Sequence, residues 1–137
     1  MGTYCIIGGS KGIGCEVATR LASEGHTVHV ISRNRDDLPE GSITHHTLDA
    51  TAEDALFPDI GLPLDGLAYF PGSITLKPFD KVTRTDLYND FTINVVGAMQ
   101  SIQAYHKALK AKPGSSILLM STVAVGTGFP FHASISA

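Results

Sequence analysis

Short apolar runs alternate with longer stretches of helical period along this chain of 137 residues. Apolar runs bounded by turn residues predict strands, whereas apolar residues at steps of three and four predict helices. A regular alternation of the two is typical of a parallel sheet with helices packed on both faces. The strands are expected near residues 3–8, 27–32, 43–48, 65–70 and 115–121.

Two helices are predicted between these strands. The first spans residues 12–24 and ends at Gly25, a residue type that favours the left-handed turn after a helix. The second begins at Thr83, whose hydroxyl forms a capping box with Asp86, and it is stopped by the sequence Lys112-Pro113-Gly114. One side of the second helix carries an apolar stripe of Leu87, Phe91, Val95, Ala98, Ile102, Tyr105 and Leu109.

Composition and charge narrow the class of protein. A hydrophobic fraction of 43% and a charged fraction of 17% predict a single globular domain over residues 1–137. The net charge is -3 and basic residues are not clustered, so nucleic-acid binding is not expected. Apolar stretches fall far short of the roughly 20 residues that span a membrane, and the start lacks a basic signal-peptide region. Cys5 and Cys15 lack metal-ligand spacing, so we expect no metal and two reduced thiols in a cytoplasmic protein.

The segment between the first strand and the first helix is rich in glycine. It reads TYCIIGGSKGIG over residues 3–14. Such a turn lets the backbone approach a pyrophosphate closely while the amides of a helix N-terminus point at it. An ordinary glycine-rich turn without a ligand is the alternative. The candidate cofactor-binding residues of this segment are Gly8, Ser10, Lys11, Gly12, Ile13 and Gly14.

The end of the second strand is where a dinucleotide fold meets the adenosine ribose. An acid there would favour NAD, but none occurs before Asp36. Arg33 and Lys11 are instead placed to converge on a 2'-phosphate, and the serine hydroxyls at positions 10 and 32 are further donors. The sequence therefore favours NADP(H), although both cations could be solvated surface residues. The candidate residues at this strand end are Ser32, Arg33 and Asn34.

These motifs resemble those of the short-chain dehydrogenase/reductase family over essentially the whole chain. IIGGSKGIG is similar to the family's cofactor loop, and SRN at 32–34 to its NADP-type strand end. Leu48-Asp49-Ala50 resembles the segment whose aspartate binds the adenine edge, which adds Asp49 and Ala50 to the candidate cofactor site. INVVG at 93–97 matches the family's active-site asparagine, here Asn94. SSILLMSTVAVG resembles the segment that carries the catalytic hydroxyl.

The resemblance implies a Rossmann-type doubly wound α/β fold with strand order 3-2-1-4-5. It also implies an NADP(H)-dependent oxidoreductase acting on a small carbonyl or alcohol substrate. In the family, the helix that corresponds to residues 83–112 pairs with its copy in another subunit, so a homo-oligomer is expected. Further strands and helices would follow Ala137, so we expect residues 1–137 to be the front portion of a longer domain.

Asn94 interrupts the apolar stripe of the second helix. A buried amide must be hydrogen-bonded, so one interpretation is a structural amide bound by backbone at a helix irregularity. The family interpretation adds a water held in a proton relay. Where the family has NNAG, this chain has Tyr69-Phe70-Pro71-Gly72. Gly72 remains a candidate cofactor residue, and the two aromatic residues are predicted to fill core volume.

Catalysis is the point at which the chain departs most from the family. The catalytic hydroxyl aligns with Thr122, with Ser121 as the neighbouring option. The tyrosine that donates a proton aligns with Ile135, and the lysine would stand at position 139, beyond Ala137. Ser134 and His132 are candidate substitutes, but each is expected to be a helix cap or a surface residue. The alternative function is therefore a catalytically silent dinucleotide-binding protein, either a cofactor sensor or a subunit interface.

Overall fold

Five parallel strands form the sheet of this chain, which a computed structural model describes for residues 1–61 and 63–137. Their order is β3-β2-β1-β4-β5, which confirms the expected α/β class and strand order. Each pair of neighbouring strands is parallel, with β1 at the centre. The strands are β1 Thr3–Ile7, β2 Thr27–Ser32, β3 Ile43–Thr47, β4 Gly66–Tyr69 and β5 Ser116–Leu119.

Helices pack on both faces of the sheet, as the alternating pattern predicted. Helix α1 is Gly12–Ser23. Side chains alternate between the faces of a strand, so Ile6 of β1 lies in a buried cluster with Ala18 of α1. Ile7 lies in the opposite cluster with Tyr105, which belongs to a helix of the other layer. The centre of the sheet is therefore covered on both sides, and the carboxyl ends of its strands are held in place.

The long helix predicted over residues 83–112 consists of three parts. They are α2 Arg84–Phe91, a π-helical segment Thr92–Val96 and α3 Gly97–Lys110. The predicted capping box is confirmed, because Asp86 N–H donates to Thr83 Oγ1 and Thr83 N–H donates to the Asp86 carboxylate. A short helix, α4 Ala133–Ser136, follows β5 and contacts α2.

The apolar stripe predicted for the long helix is confirmed in α3, but the prediction is wrong for α2 and the π-helical segment. Leu87, Phe91 and Val95 are 43%, 55% and 42% exposed, whereas Asp90 is only 2% exposed. A π-helical turn bonds groups five residues apart instead of four, so it rotates the side chains before it relative to those after it. As a result, Asp90 and not the apolar stripe faces the interior in α2.

Tyr69 of β4 fixes the place of the π-helical segment. The Gly97 N–H donates to the carbonyl of Thr92 and not to that of Ile93, its partner in a regular helix. The Ile93 carbonyl accepts instead from the Tyr69 hydroxyl at 2.5 Å. Burial and the Asp49 carboxylate raise the pKa of Tyr69 to about 12, so this hydroxyl keeps its proton at neutral pH. Tyr69 fills core volume, as predicted, and also shapes the helix.

Strand β5 forms one edge of the sheet and is shorter than predicted. Its Ile117, Leu118 and Leu119 are 46%, 49% and 54% exposed, so the strand presents apolar side chains at the surface. In the described part of the chain, no helix has both the length and the apolar character needed to cross a bilayer.

Candidate functional site

A cleft opens at the carboxyl ends of β1, β2, β3 and β4. This is the edge of an open parallel sheet where ligands bind in doubly wound folds. The cleft brings together most of the residues that the sequence predicted for the cofactor. Those that line it are Gly8, Ser10, Lys11, Ser32, Arg33, Asn34, Asp49, Ala50 and Gly72.

The remaining predicted cofactor residues, Gly12, Ile13 and Gly14, lie outside the described lining and form the first turn of α1. Gly8 has φ 74°, a left-handed conformation that favours glycine. A β-carbon on Gly14 would lie 2.6 Å from the Gly8 carbonyl oxygen, so the helix start approaches the turn only because this residue is glycine. The glycines are therefore required by the geometry of the turn.

The start of α1 is suited to an anion. Its N-cap residue is Lys11, and among the described residues no side chain caps the helix and none of its first turn is acidic. The first amides of a helix need acceptors, and a phosphate supplies them. Together with the cleft, this start fits the pyrophosphate of a dinucleotide.

Arg33 is exposed at the far end of the cleft, beside Ser32 and Asn34. The Ser32 hydroxyl donates to the Asn34 carbonyl at 2.7 Å and lies 2.9 Å from Nε2 of His45. A hydroxyl has one proton, so His45 presents an Nε2–H to it. Ser10 in turn donates to Asp36 at 3.0 Å. Both serine hydroxyls therefore donate within the chain, so a phosphate would compete with these internal acceptors for their protons.

Asp49 stands at the side of the cleft predicted to meet the adenine edge. Its Oδ1 accepts from the Thr51 hydroxyl at 2.7 Å and from the Thr51 N–H at 2.9 Å. The hydroxyl bond and the backbone bond lower the pKa of Asp49, and the charge of Arg33 adds to this effect, while partial burial opposes it. The carboxylate is therefore ionised at neutral pH, with an acceptor directed by a local turn.

Asn94 binds the loop that follows β4. Its Oδ1 accepts from Ser73 N–H and its Nδ2 donates to the Ser73 carbonyl, both at 2.9 Å. This is the structural amide at a helix irregularity that one interpretation of the sequence predicted, since Asn94 lies in the π-helical segment. Gly72, the neighbour of Ser73, lines the cleft, so Asn94 positions one wall of it.

Asp90 belongs to this arrangement and was missed by the sequence reasoning. Its buried carboxylate accepts from the Ser73 hydroxyl at 2.7 Å, from Thr75 N–H at 2.9 Å and from the Ser134 hydroxyl at 2.5 Å. Burial alone would raise the pKa of Asp90, but the bonds from Ser134, Ser73 and Thr75 together lower it. An acid four residues before Asn94, at the helical spacing of the buried face, is the signal that could have revealed it.

The segment after β5 carries the residues predicted for catalysis. Thr122 caps the short turn Val123–Val125, and its Oγ1 accepts from Ala124 N–H at 3.2 Å. Ser121 beside it is exposed. Thr122 and Ser121 follow β5, the strand next to β4. Like Asn94, they lie outside the described lining of the cleft.

The two candidate substitutes for the missing tyrosine have different surroundings. His132 is the N-cap residue of α4, as expected, and its Nδ1 lies 2.7 Å from the Pro130 carbonyl oxygen. Ser134 is neither a cap nor a free surface residue, because its hydroxyl is bound to buried Asp90. Ile135, the residue after Ser134, is half-buried.

Comparison with known proteins gives relatives along most of the chain. It is 31% identical over 134 residues to a 3-dehydrosphinganine reductase of Arabidopsis thaliana, which covers 87% of this chain and 41% of that protein. It is 29% identical over 130 residues to carbonyl reductase family member 4 of Xenopus laevis, covering 86% of this chain and 55% of that protein. The chain spans about half, or less, of the length of the curated relatives it matches.

Solved structures share the fold. A short chain dehydrogenase family protein from Francisella tularensis superposes with a TM-score of 0.85 at 22% identity, covering 99% of this chain and 57% of that one. An alcohol dehydrogenase from Thermococcus sibiricus, solved with 5-hydroxy-NADP, has a TM-score of 0.86 at 19% identity, covering 99% of this chain and 64% of that one. The family model described as short chain dehydrogenase matches residues 3–137. With this match, the strand order and the glycine turn, the chain belongs to the short chain dehydrogenase family.

Proposed function

We propose that this chain binds NADP(H) and forms part of an oxidoreductase acting on a carbonyl or alcohol. The observation that carries the proposal is the cleft at the carboxyl ends of the strands, which is lined by the glycine turn with its Lys11 and by Arg33 at the end of β2. Relatives named as reductases support the reaction class. The bound cofactor would supply or accept the hydride, and the chain's own residues bind it and hold the neighbouring loops.

The preference for NADP(H) rests on Arg33. An exposed guanidinium in the cleft is suited to a bidentate contact with a 2'-phosphate. Arg33→Ala should remove most of the difference between NADPH and NADH affinity, on the order of 1 to 3 kcal/mol. Fluorescence titration at a fixed salt concentration measures both affinities.

Arg35→Ala is the matched control for that experiment. Arg35 carries the same charge two residues further on, and its guanidinium donates to the Pro39 carbonyl at 2.7 Å. Its loss should change both affinities equally. Equal affinities for NADPH and NADH in the unsubstituted chain would contradict the proposed preference.

Turnover is expected to be weak for residues 1–137. Thr122 can donate a hydroxyl proton to a developing alkoxide, but Ile135 supplies no acid. Loss of a general acid lowers the rate typically by about a hundredfold to ten-thousandfold. NADPH oxidation against a panel of ketones and aldehydes, followed by absorbance, tests this. Turnover near the enzyme median of about ten per second would refute it.

A catalytically silent dinucleotide-binding protein is the second candidate, and Ile135 is the observation that favours it. The two functions differ in the consequence of adding a proton donor. If the protein is an enzyme whose catalytic lysine follows Ala137, then a longer chain that includes this lysine should gain turnover when Ile135 is replaced by tyrosine. A silent binder should keep its NADPH affinity and stay inactive in both forms.

We further propose a homo-oligomer with a two-fold interface. Leu87, Phe91, Val95 and Met99 recur every four residues along α2 and the two segments that follow it, and each is between 42% and 55% exposed. A continuous apolar stripe of this kind is typical of a surface that pairs with a copy of itself.

The free thiols of Cys5 and Cys15 agree with the reducing cytoplasm that we propose as the location of this protein.

A further inference from the structure

Asp36 lies in the turn after β2 and lines the same end of the cleft as Arg33. Its φ of 42° is in the left-handed region, which aspartate and asparagine adopt more readily than most residues. The next residue, Asp37, donates its N–H to the Ser10 carbonyl at 3.1 Å. The turn after β2 is therefore tied to the loop after β1, and the Asp36 side chain is brought against that loop.

The Asp36 carboxylate takes two donors from the glycine-rich loop. Its Oδ2 accepts from the Ser10 hydroxyl at 3.0 Å, and its Oδ1 lies 3.3 Å from Nζ of Lys11. The Asp36 side chain is 21% exposed, whereas that of Lys11 is 67% exposed. An anion of the chain itself thus occupies a hydroxyl and an ammonium group at the rim of the cleft.

We propose that Asp36 is a specificity-determining residue that weakens the preference for NADPH over NADH. The hydroxyl and ammonium groups that it binds are the donors that a 2'-phosphate would use beside Arg33. NADPH must therefore displace the carboxylate or bind next to a like charge. NADH has a 2'-hydroxyl instead, which can donate a hydrogen bond to a carboxylate. This inference rests on the proposed function, because it concerns the same cleft.

Asp36→Asn tests the inference with little disturbance of the turn. Asparagine tolerates a positive φ and keeps the size of the side chain, but it removes the charge that holds Lys11. We expect the Kd of NADPH to fall by about twofold to fivefold at low salt, the range for a partly exposed charge contact. The Kd of NADH should stay the same or rise, so the ratio of the two affinities moves towards NADPH.

Asp37→Asn is the matched control, since it removes the same charge one residue further on. It should change the affinity ratio by less than about twofold. Lys11→Ala in the Asp36→Asn background should abolish the gain, because the gain requires the released ammonium group. Isothermal titration of each variant with NADPH and with NADH, at the same pH and salt, gives all the required constants.

The outcomes separate the inference from the function on which it rests. If neither dinucleotide binds the unsubstituted chain, the proposed function fails and the inference fails with it. If both bind and Asp36→Asn leaves their affinity ratio unchanged, or if Asp37→Asn changes it equally, the inference alone is overturned. A gain in the ratio that is confined to Asp36→Asn and depends on Lys11 supports it.

Discussion

Replacing Tyr69 by phenylalanine removes a single hydroxyl from the interior, and its effect should reach the cofactor cleft. In the structure that hydroxyl is the donor to the Ile93 carbonyl, because the Gly97 N–H is bound to Thr92 instead. The phenylalanine ring keeps the core filled, so no cavity is made. The variant therefore tests the hydrogen bond by itself.

The expected loss of stability follows from the Ile93 carbonyl, which the substitution leaves without a donor. A neutral hydrogen bond contributes about 0.5 to 1.5 kcal/mol net, and a buried carbonyl left without a donor costs about 1 to 3 kcal/mol. The Ile93 carbonyl regains a partner only if Gly97 turns back to it, which would make this turn a regular α-helix and change the direction of Asn94. We therefore expect Tyr69→Phe to lower the free energy of unfolding by about 1 to 3 kcal/mol.

Tyr105→Phe provides the matched control. Tyr105 is also buried, and its hydroxyl donates to the Pro58 carbonyl at 2.9 Å, away from the π-helical segment. Urea denaturation should give both variants a similar loss of stability. Only Tyr69→Phe should weaken NADPH binding, by more than about threefold or 0.7 kcal/mol, because Ile93 lines the cleft and Asn94 holds the loop beside it.

Two results would refute this reasoning. One is a Tyr69→Phe variant whose unfolding free energy lies within about 0.3 kcal/mol of the unsubstituted chain, well below the ordinary value of a buried hydrogen bond. The other is an equal loss of NADPH affinity in both tyrosine variants, which would show that the effect comes from general loosening of the core and not from the π-helical segment.

Three further outcomes are expected. Gly14→Ala places a β-carbon 2.6 Å from the Gly8 carbonyl oxygen, so it should destabilise the chain by about 1 to 3 kcal/mol in urea denaturation and abolish NADPH binding. Asp90 has a pKa below its ordinary value of 3.8. The stability that its carboxylate contributes is therefore present above pH 3.8 and is lost as the pH falls through the pKa of the folded state. Asp90→Asn should flatten the dependence of the unfolding free energy on pH below 3.8. Phe91→Glu should convert the proposed oligomer to a monomer in sedimentation velocity at micromolar concentration, and a monomeric unsubstituted chain would contradict the proposed interface.

Features that depend on neighbouring residues could be predicted from the sequence. The strand positions follow from apolar runs between turn residues, and the capping box joins Thr83 and Asp86, which are three residues apart. The glycine turn requires a positive φ at Gly8, and that requirement is visible in the residue type itself. For this reason the fold and most of the cleft lining agree with the sequence pattern.

Features that depend on distant partners could not be predicted in this way. The apolar residues of α2 fit a regular helix, because helical period does not record that Tyr69 will bind Ile93 from 24 residues away. The bond between Ser134 and Asp90 joins residues 44 apart, and its existence turns a predicted surface residue into part of a buried polar cluster. The spacing of charges likewise gives no sign that Asp36 will take the hydroxyl of Ser10, 26 residues before it.

The π-helical segment also has a consequence for how related sequences diverge. A β-carbon at residue 97 and a tyrosine hydroxyl at residue 69 require the same space, and the hydroxyl is useful only where the carbonyl of residue 93 lacks an amide partner. The residue types at sites 69 and 97 therefore constrain each other during evolution. Relatives with tyrosine at the site of Tyr69 should have glycine at the site of Gly97. Relatives with a smaller residue at the site of Tyr69 have room for alanine or serine at the site of Gly97. A substitution at either site alone would pass through an intermediate with a steric clash or an unpaired carbonyl, so the two are expected to change together.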